Sequence, residues 1–157
     1  MPTRRFASHL FAGLLALALT GCGPSGQPAA ETKPEPPPPM PNVFNVKLET
    51  SAGDIVIEVH KDWAPHGAER FYDLVNQGFF DGARFYRVVR GYVVQFGYKG
   101  DPQIDSLWQA SFLPDDPVKQ SNLKGYVSFA QQAPNSRTTQ VFINLRDNKA
   151  LDKSGFA

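Results

Sequence analysis

Residues 83–97 read ARFYRVVRGYVVQFG and residues 125–144 read GYVSFAQQAPNSRTTQVFIN, and these two stretches decide the fold. In the first, β-branched and aromatic runs of four to six residues meet at Arg90 and Gly91, which predicts a pair of strands. Side chains alternate across a strand, so Arg87 points away from Tyr86 and Val88. A guanidinium in so apolar a run must reach water or meet a designated partner, because an unpaired buried charge is costly. The second stretch repeats the pattern around an Ala-Pro-Asn turn signal, after which Gln140 and Phe142 share one strand face. A polar donor beside an aromatic floor is the chemistry of a pocket.

The ordered string Phe85, Arg87, Gly91, Tyr92, Gln95, then Phe129, Ala130, Pro134, Asn135, Gln140, Phe142, resembles the signature region of the cyclophilins, peptidyl-prolyl isomerases built on a closed antiparallel barrel. The resemblance runs from about Val43 to Ala157. It implies a mostly β domain over residues 42–157, a closed cyclophilin-like barrel with a flanking helix. Family members continue past the segment like Leu151 to Ala157 into a further strand and helix. The expectation is therefore a domain truncated at its C-terminus and poorly folded on its own.

Outward from that region, Phe44, Val46 and Leu48 alternate with polar residues, and after the turn at Ser51 to Asp54 Ile55, Ile57 and Val59 do so again. This predicts a hairpin with one buried face. Asp62 and Pro65 supply helix-start chemistry ahead of Ala68, Phe71, Leu74 and Val75 at helical spacing, and Gly78 ends the helix. Between Gly97 and Gly125 the reading is a long loop pinned by Leu107, Trp108, Phe112 and Leu113. Asp115 and Asp116 read as solvated acids, and His60 and His66 as surface or helix-start residues, since no third ligand stands at metal spacing.

The first 21 residues read as a lipoprotein signal peptide. Arg4 and Arg5 precede an apolar run from Leu10 to Leu19, too short to span a bilayer, which needs about 20 residues. The run ends in Leu19, Thr20, Gly21 and Cys22, which resembles the lipobox in which the cysteine becomes the acylated first residue. A plain secretory signal is the competing reading, but Cys22 is the chain's single cysteine and its spacing favours lipidation. Residues 22–41 are a Pro-rich linker, with Pro36 to Pro39 in a row, suited to an extended spacer. The expected location is extracytoplasmic, lipid-anchored to a bacterial membrane.

With 157 residues there is length for one domain, and a net charge of +1 without a basic run gives no electrostatic case for nucleic acid. Covalent, phosphoryl and metal mechanisms lack parts: there is no Ser-His-Asp order, Gly-rich phosphate loop or ligand cluster. Prolyl isomerisation needs none of them, and no cofactor is implied. The resemblance assigns catalysis to Arg87 and Gln95, and substrate binding to Tyr92, Val93, Ala130, Gln131, Gln140, Phe142, Leu151 and Phe156. Proline-containing peptides and unfolded exported proteins are the implied partners.

Departures from the family pattern are Tyr86 for a histidine, Val93 for the pocket methionine, Gln131 for an asparagine, Ala150 for a rim tryptophan and Phe156 for a histidine. Two other readings compete with the enzyme. One is a module that binds proline peptides or a partner protein without turnover, and the other a structural envelope lipoprotein that reuses the barrel.

Overall fold

The structure, a computed structural model, describes residues 39–157. The signal segment, Cys22 and nearly all of the linker lie outside the described residues. Strand β1 (Val43–Thr50) and strand β2 (Gly53–His60) form the expected antiparallel hairpin, with Val46 opposite Ile57. Gly53 sits at φ 118°, a conformation that favours glycine, while the Thr50 hydroxyl donates to the Gly53 carbonyl at 2.6 Å. Helix α1 (Pro65–Asn76) follows, then β3 (Arg87–Val89), β4 (Val93–Phe96), α2 (Pro102–Gln109), β5 (Val127–Phe129), β6 (Val141–Asn144) and a 3-10 helix at Lys149–Ser154.

The second sheet has the order β3-β4-β6-β5, antiparallel throughout. Val46, Ile57, Phe71, Phe96, Phe129 and Val141 form the core where hairpin, helix and sheet meet. Each such side chain contributes about 1.5–3 kcal/mol by leaving water. Phe80 and Phe85 extend the core, each edge-on to Phe96 at 5.3 and 5.1 Å between centroids.

The expected closed barrel is not formed among the described residues. Within the sheets β2 pairs with β1 and β5 with β6, and a cavity of about 370 Å³ is lined by residues 55–60 of β2 and residues 127–129 of β5. Closure requires a ladder partner on both sides of every strand. Here hairpin and sheet meet through side chains instead.

The start of α1 corrects two expectations. Its cap position is Ala64, which has no side-chain acceptor, and Pro65 stands at the first turn. The cap comes from 50 residues away: the Asp116 carboxylate accepts the His66 N–H at 3.0 Å and the Gly67 N–H at 2.8 Å. Asp116 is buried, and so is Arg137, whose Nη1 donates to it at 3.2 Å and whose Nη2 donates to the Pro114 carbonyl. Asp115 lies 3.2 Å from Arg137 Nε as an ion pair off the hydrogen-bonding angle, and exchanges two hydrogen bonds with Asn135. The adjacent acids are therefore an internal ionic cluster, because burying Arg137 demands counter-charge.

The 97–125 segment also differs from the expected loop. Asp101 caps α2 by accepting from the Gln103 and Ile104 amides, and Pro102 follows at the first helical position. Leu113 is buried, and Trp108 packs edge-on to Phe79 under the Arg70 guanidinium. Leu107 and Phe112 are 74% and 61% exposed, so they do not pin it.

Replacing Asp116 with alanine leaves Arg137 only the off-angle Asp115 carboxylate and the Pro114 carbonyl and uncaps α1, with an expected loss of about 3 kcal/mol in urea unfolding. Asp115→Ala, at the more exposed end of the cluster, should cost distinctly less. Equal costs would contradict this account.

Candidate functional site

The β3–β4 hairpin places Arg87 opposite Gln95, and the β4–β6 pairing places Gln95 opposite Phe142. A tight reversal at Arg90 and Gly91, with Gly91 at φ 64° and the Tyr92 amide bonded to the Val89 carbonyl, sets that register. At its far end β4 passes close to the approach to β6. A Cβ on Gly97 would lie 2.4 Å from the Thr139 carbonyl oxygen, so only glycine fits there. The Thr139 hydroxyl donates to the Gly97 carbonyl at 2.7 Å, and Gln140 comes to rest beside Tyr98.

A chain of polar side chains results, and in it Tyr86, expected to point away from Arg87, meets the same Gln95 amide, because Tyr86 precedes β3 and is not bound by strand alternation. Arg87 Nη1 donates to Gln95 Oε1 at 3.1 Å. Gln95 Nε2 donates to the Tyr86 hydroxyl and, at 3.1 Å, to Gln140 Oε1. The Tyr86 hydroxyl donates to Gln140 Oε1 at 2.6 Å, and Gln140 Nε2 donates to the Tyr98 hydroxyl at 2.9 Å. The Tyr86 and Tyr98 rings lie 4.9 Å apart. Burial, reinforced by Tyr98 and opposed by Arg87 and the Gln95 bond, pushes the Tyr86 phenol up to about 12. Its hydroxyl therefore keeps its proton at neutral pH.

Beside the chain lies an apolar floor. Phe142 is buried, with Phe156 edge-on at 5.6 Å. Leu151 comes from the 3-10 helix, which Asp152 ties down by accepting from the Ser121 hydroxyl and from the backbone and side chain of Asn122. Asn148 Nδ2 and the Leu145 amide both donate to the Tyr92 carbonyl, so the same end of β6 holds the Tyr92 wall. On the far side Gln131 Nε2 donates to the Ser154 carbonyl, while its buried Oε1 has no partner.

All ten residues singled out from the sequence, Arg87, Gln95, Tyr92, Val93, Ala130, Gln131, Gln140, Phe142, Leu151 and Phe156, line one cavity of about 600 Å³. The Ala130 N–H donates to the Gln140 carbonyl at 2.8 Å, so it is committed within the sheet. Sequence reasoning missed Tyr98 and Phe112, which also line the cavity. Neither stands at a strand period from the polar pair, and Tyr98 meets Gln140 only after the chain has folded back over 42 residues.

Chemically, the arrangement offers a cation of fixed direction at the rim of an apolar hollow. The family model described as cyclophilin type peptidyl-prolyl cis-trans isomerase/CLD matches residues 45–157. A peptidyl-prolyl cis-trans isomerase of Schizosaccharomyces pombe is 36% identical over 114 residues, covering 69% of this chain and 72% of that one. Peptidyl-prolyl cis-trans isomerase A of Dickeya dadantii is 38% identical, covering 69% of this chain and 57% of its own. Among solved structures, a Cryptosporidium parvum cyclophilin type isomerase in the presence of the dipeptide Ala-Pro superposes with a TM-score of 0.60 at 21% identity, covering 72% of this chain and 73% of that one.

The hydrogen bonds to Asp152 hold its carboxyl below its ordinary value of 3.8, the Ser121 bond contributing most. The stability this group contributes is full above that value and is lost as pH falls below it. Thermal melts should show the wild type losing more midpoint between pH 5 and pH 3 than Asp152→Asn does. Parallel losses would place the acid sensitivity elsewhere.

Proposed function

The chain belongs to the cyclophilin-type peptidyl-prolyl cis-trans isomerases and is an isomerase, and from that premise we propose that the 600 Å³ cavity seats an X-Pro segment and that Arg87 drives its rotation. The barrier to that rotation, about 18–20 kcal/mol, arises from C–N resonance. As the amide twists, the prolyl nitrogen becomes pyramidal and exposes a lone pair that the planar ground state lacks. A donor aimed at that lone pair binds the twisted state selectively, which is what catalysis requires.

Arg87 suits this role because its guanidinium presents several donors on a rigid plane and keeps its charge. The observation that carries the reading is the bond from Arg87 to Gln95 directly opposite the buried Phe142. It aims the cation across the hollow before substrate arrives. Phe142, Leu151, Phe156, Val93 and Tyr92 grip the proline ring. The peptide backbone pairs with the Ala130 carbonyl and with the Gln131 main chain, both at the cavity wall.

We infer that the clients are exported chains and that the enzyme works outside the cytoplasm on a lipid anchor at Cys22. The support is in sequence: the charged start, the Leu10 to Leu19 run and the Thr20-Gly21-Cys22 junction. Stable anchoring requires more than one acyl chain.

Arg87→Ala should lower kcat for a proline tetrapeptide by on the order of 100-fold, with the near-ultraviolet dichroism retained. A folded wild type that binds the peptide without accelerating its exchange would make the cavity a binding site alone. Mass spectrometry of the full chain extracted with detergent from a bacterial host should find a mature N-terminus at acylated Cys22. An unmodified chain would overturn the anchor.

A further inference from the structure

We propose that Tyr86 is a positioning residue of the reaction: its hydroxyl fixes the Gln95 amide with the oxygen towards Arg87, and so holds the guanidinium in its working direction. The inference rests on the assignment of catalysis to Arg87. An amide side chain has two ends, a donor and an acceptor, and a half-turn exchanges them. Both donors of Gln95 are engaged away from Arg87, on the Tyr86 hydroxyl and on Gln140 Oε1. Turning the amide over would set its NH₂ group against the guanidinium, donor against donor, and would set two amide oxygens, of Gln95 and Gln140, against the single proton of the Tyr86 hydroxyl.

Gln140 needs the same control. Its Oε1 accepts from Tyr86 and Gln95 together, while its Nε2 donates to Tyr98. The Tyr98 hydroxyl accepts or donates with equal ease, so it leaves the direction of Gln140 open. Among the described residues Tyr86 alone touches both amides, accepting from one and donating to the other, so its single proton couples their directions, and Arg87, which can only donate, sets the polarity of the coupled chain. Its ring, tilted on that of Tyr98, keeps the hydroxyl in place.

The residue type matters as well. A histidine here, as the cyclophilin pattern would have it, titrates at about 6.5, and its imidazolium has no acceptor to offer Gln95. A phenol raised by burial keeps both functions across that range. The charged and titratable groups that face the hydroxyl are Arg87 on β3 and Tyr98 beyond β4. Tyrosine therefore makes the alignment of Arg87 indifferent to acid.

The test compares wild type, Tyr86→Phe, Tyr86→His and Arg87→Ala by NMR exchange on a proline tetrapeptide from pH 5.5 to 8.5, with peptide Kd and melting midpoint measured alongside. Tyr86→Phe should lose about tenfold in kcat at every pH, the scale of one hydrogen bond, with Kd within twofold of wild type. Tyr86→His should approach wild type at pH 8 and fall towards Tyr86→Phe below about pH 6.5, as its imidazole takes up a proton. Wild type should stay flat.

Turnover of Tyr86→Phe equal to wild type, with Arg87→Ala impaired, would overturn this inference and leave the Arg87 reading standing. Losses of kcat, Kd and melting midpoint in step would reduce Tyr86 to a packing residue. Unimpaired Arg87→Ala would overturn both.

Discussion

Arg137 is fully buried, and the structure is arranged around keeping its charge company. Moving a guanidinium out of water costs several kcal/mol, which only a well-placed counter-charge with further hydrogen bonds offsets. Asp116 supplies the charge, Pro114 a carbonyl and Asp115 a second carboxylate. Because Asp116 also receives the first amides of α1, one carboxylate ties the 113–116 segment to the helix and to the chain entering β6. Thr138, Thr139 and Gln140 follow Arg137 directly. Arg70 of α1 adds a bond to the Thr138 carbonyl at 3.2 Å and one to the Ser111 carbonyl at 2.9 Å. The placement of Gln140 beside Gln95 is thus inherited from an ionic cluster outside the cavity.

What was legible in the sequence was local. Alternation at Phe44, Val46, Leu48 and at Ile55, Ile57, Val59 gave the first hairpin because a strand with one wet face must alternate. The break at Arg90 and Gly91 gave the second, and period two put Gln140 and Phe142 on one face. Those strand faces, with the family pattern, were enough to gather ten residues whose side chains now surround one cavity.

What was not legible depends on partners far along the chain. Asp115 and Asp116 look like surface acids until Arg137, some 20 residues on, is brought against them. The α1 cap could not be read near Asp62 because it comes from 50 residues away. Helix α2 is a different case: Asp101 followed by Pro102 is a start signal, but few periodic apolar residues follow it and the helix buries none of its residues. Tyr86 and Tyr98 owe their place to Gln140, which no spacing rule links to either. Closure of the barrel is an expectation of family likeness alone, and among the described residues no ladder joins β2 to β5.

We propose that the proline segment lies between Arg87 and Phe142, although the 370 Å³ hollow along β2 and β5 is also open and largely apolar. Backbone and side-chain NMR of the folded protein, titrated with an Ala-Pro-containing tetrapeptide, decides between them. With proline seated beside Arg87, shifts should concentrate at Arg87, Gln95, Phe142, Leu151 and Phe156 while the peptide's cis and trans signals exchange faster. Shifts confined to Ile57, Val127 and Ile143, with the Arg87 signals unmoved, would contradict it.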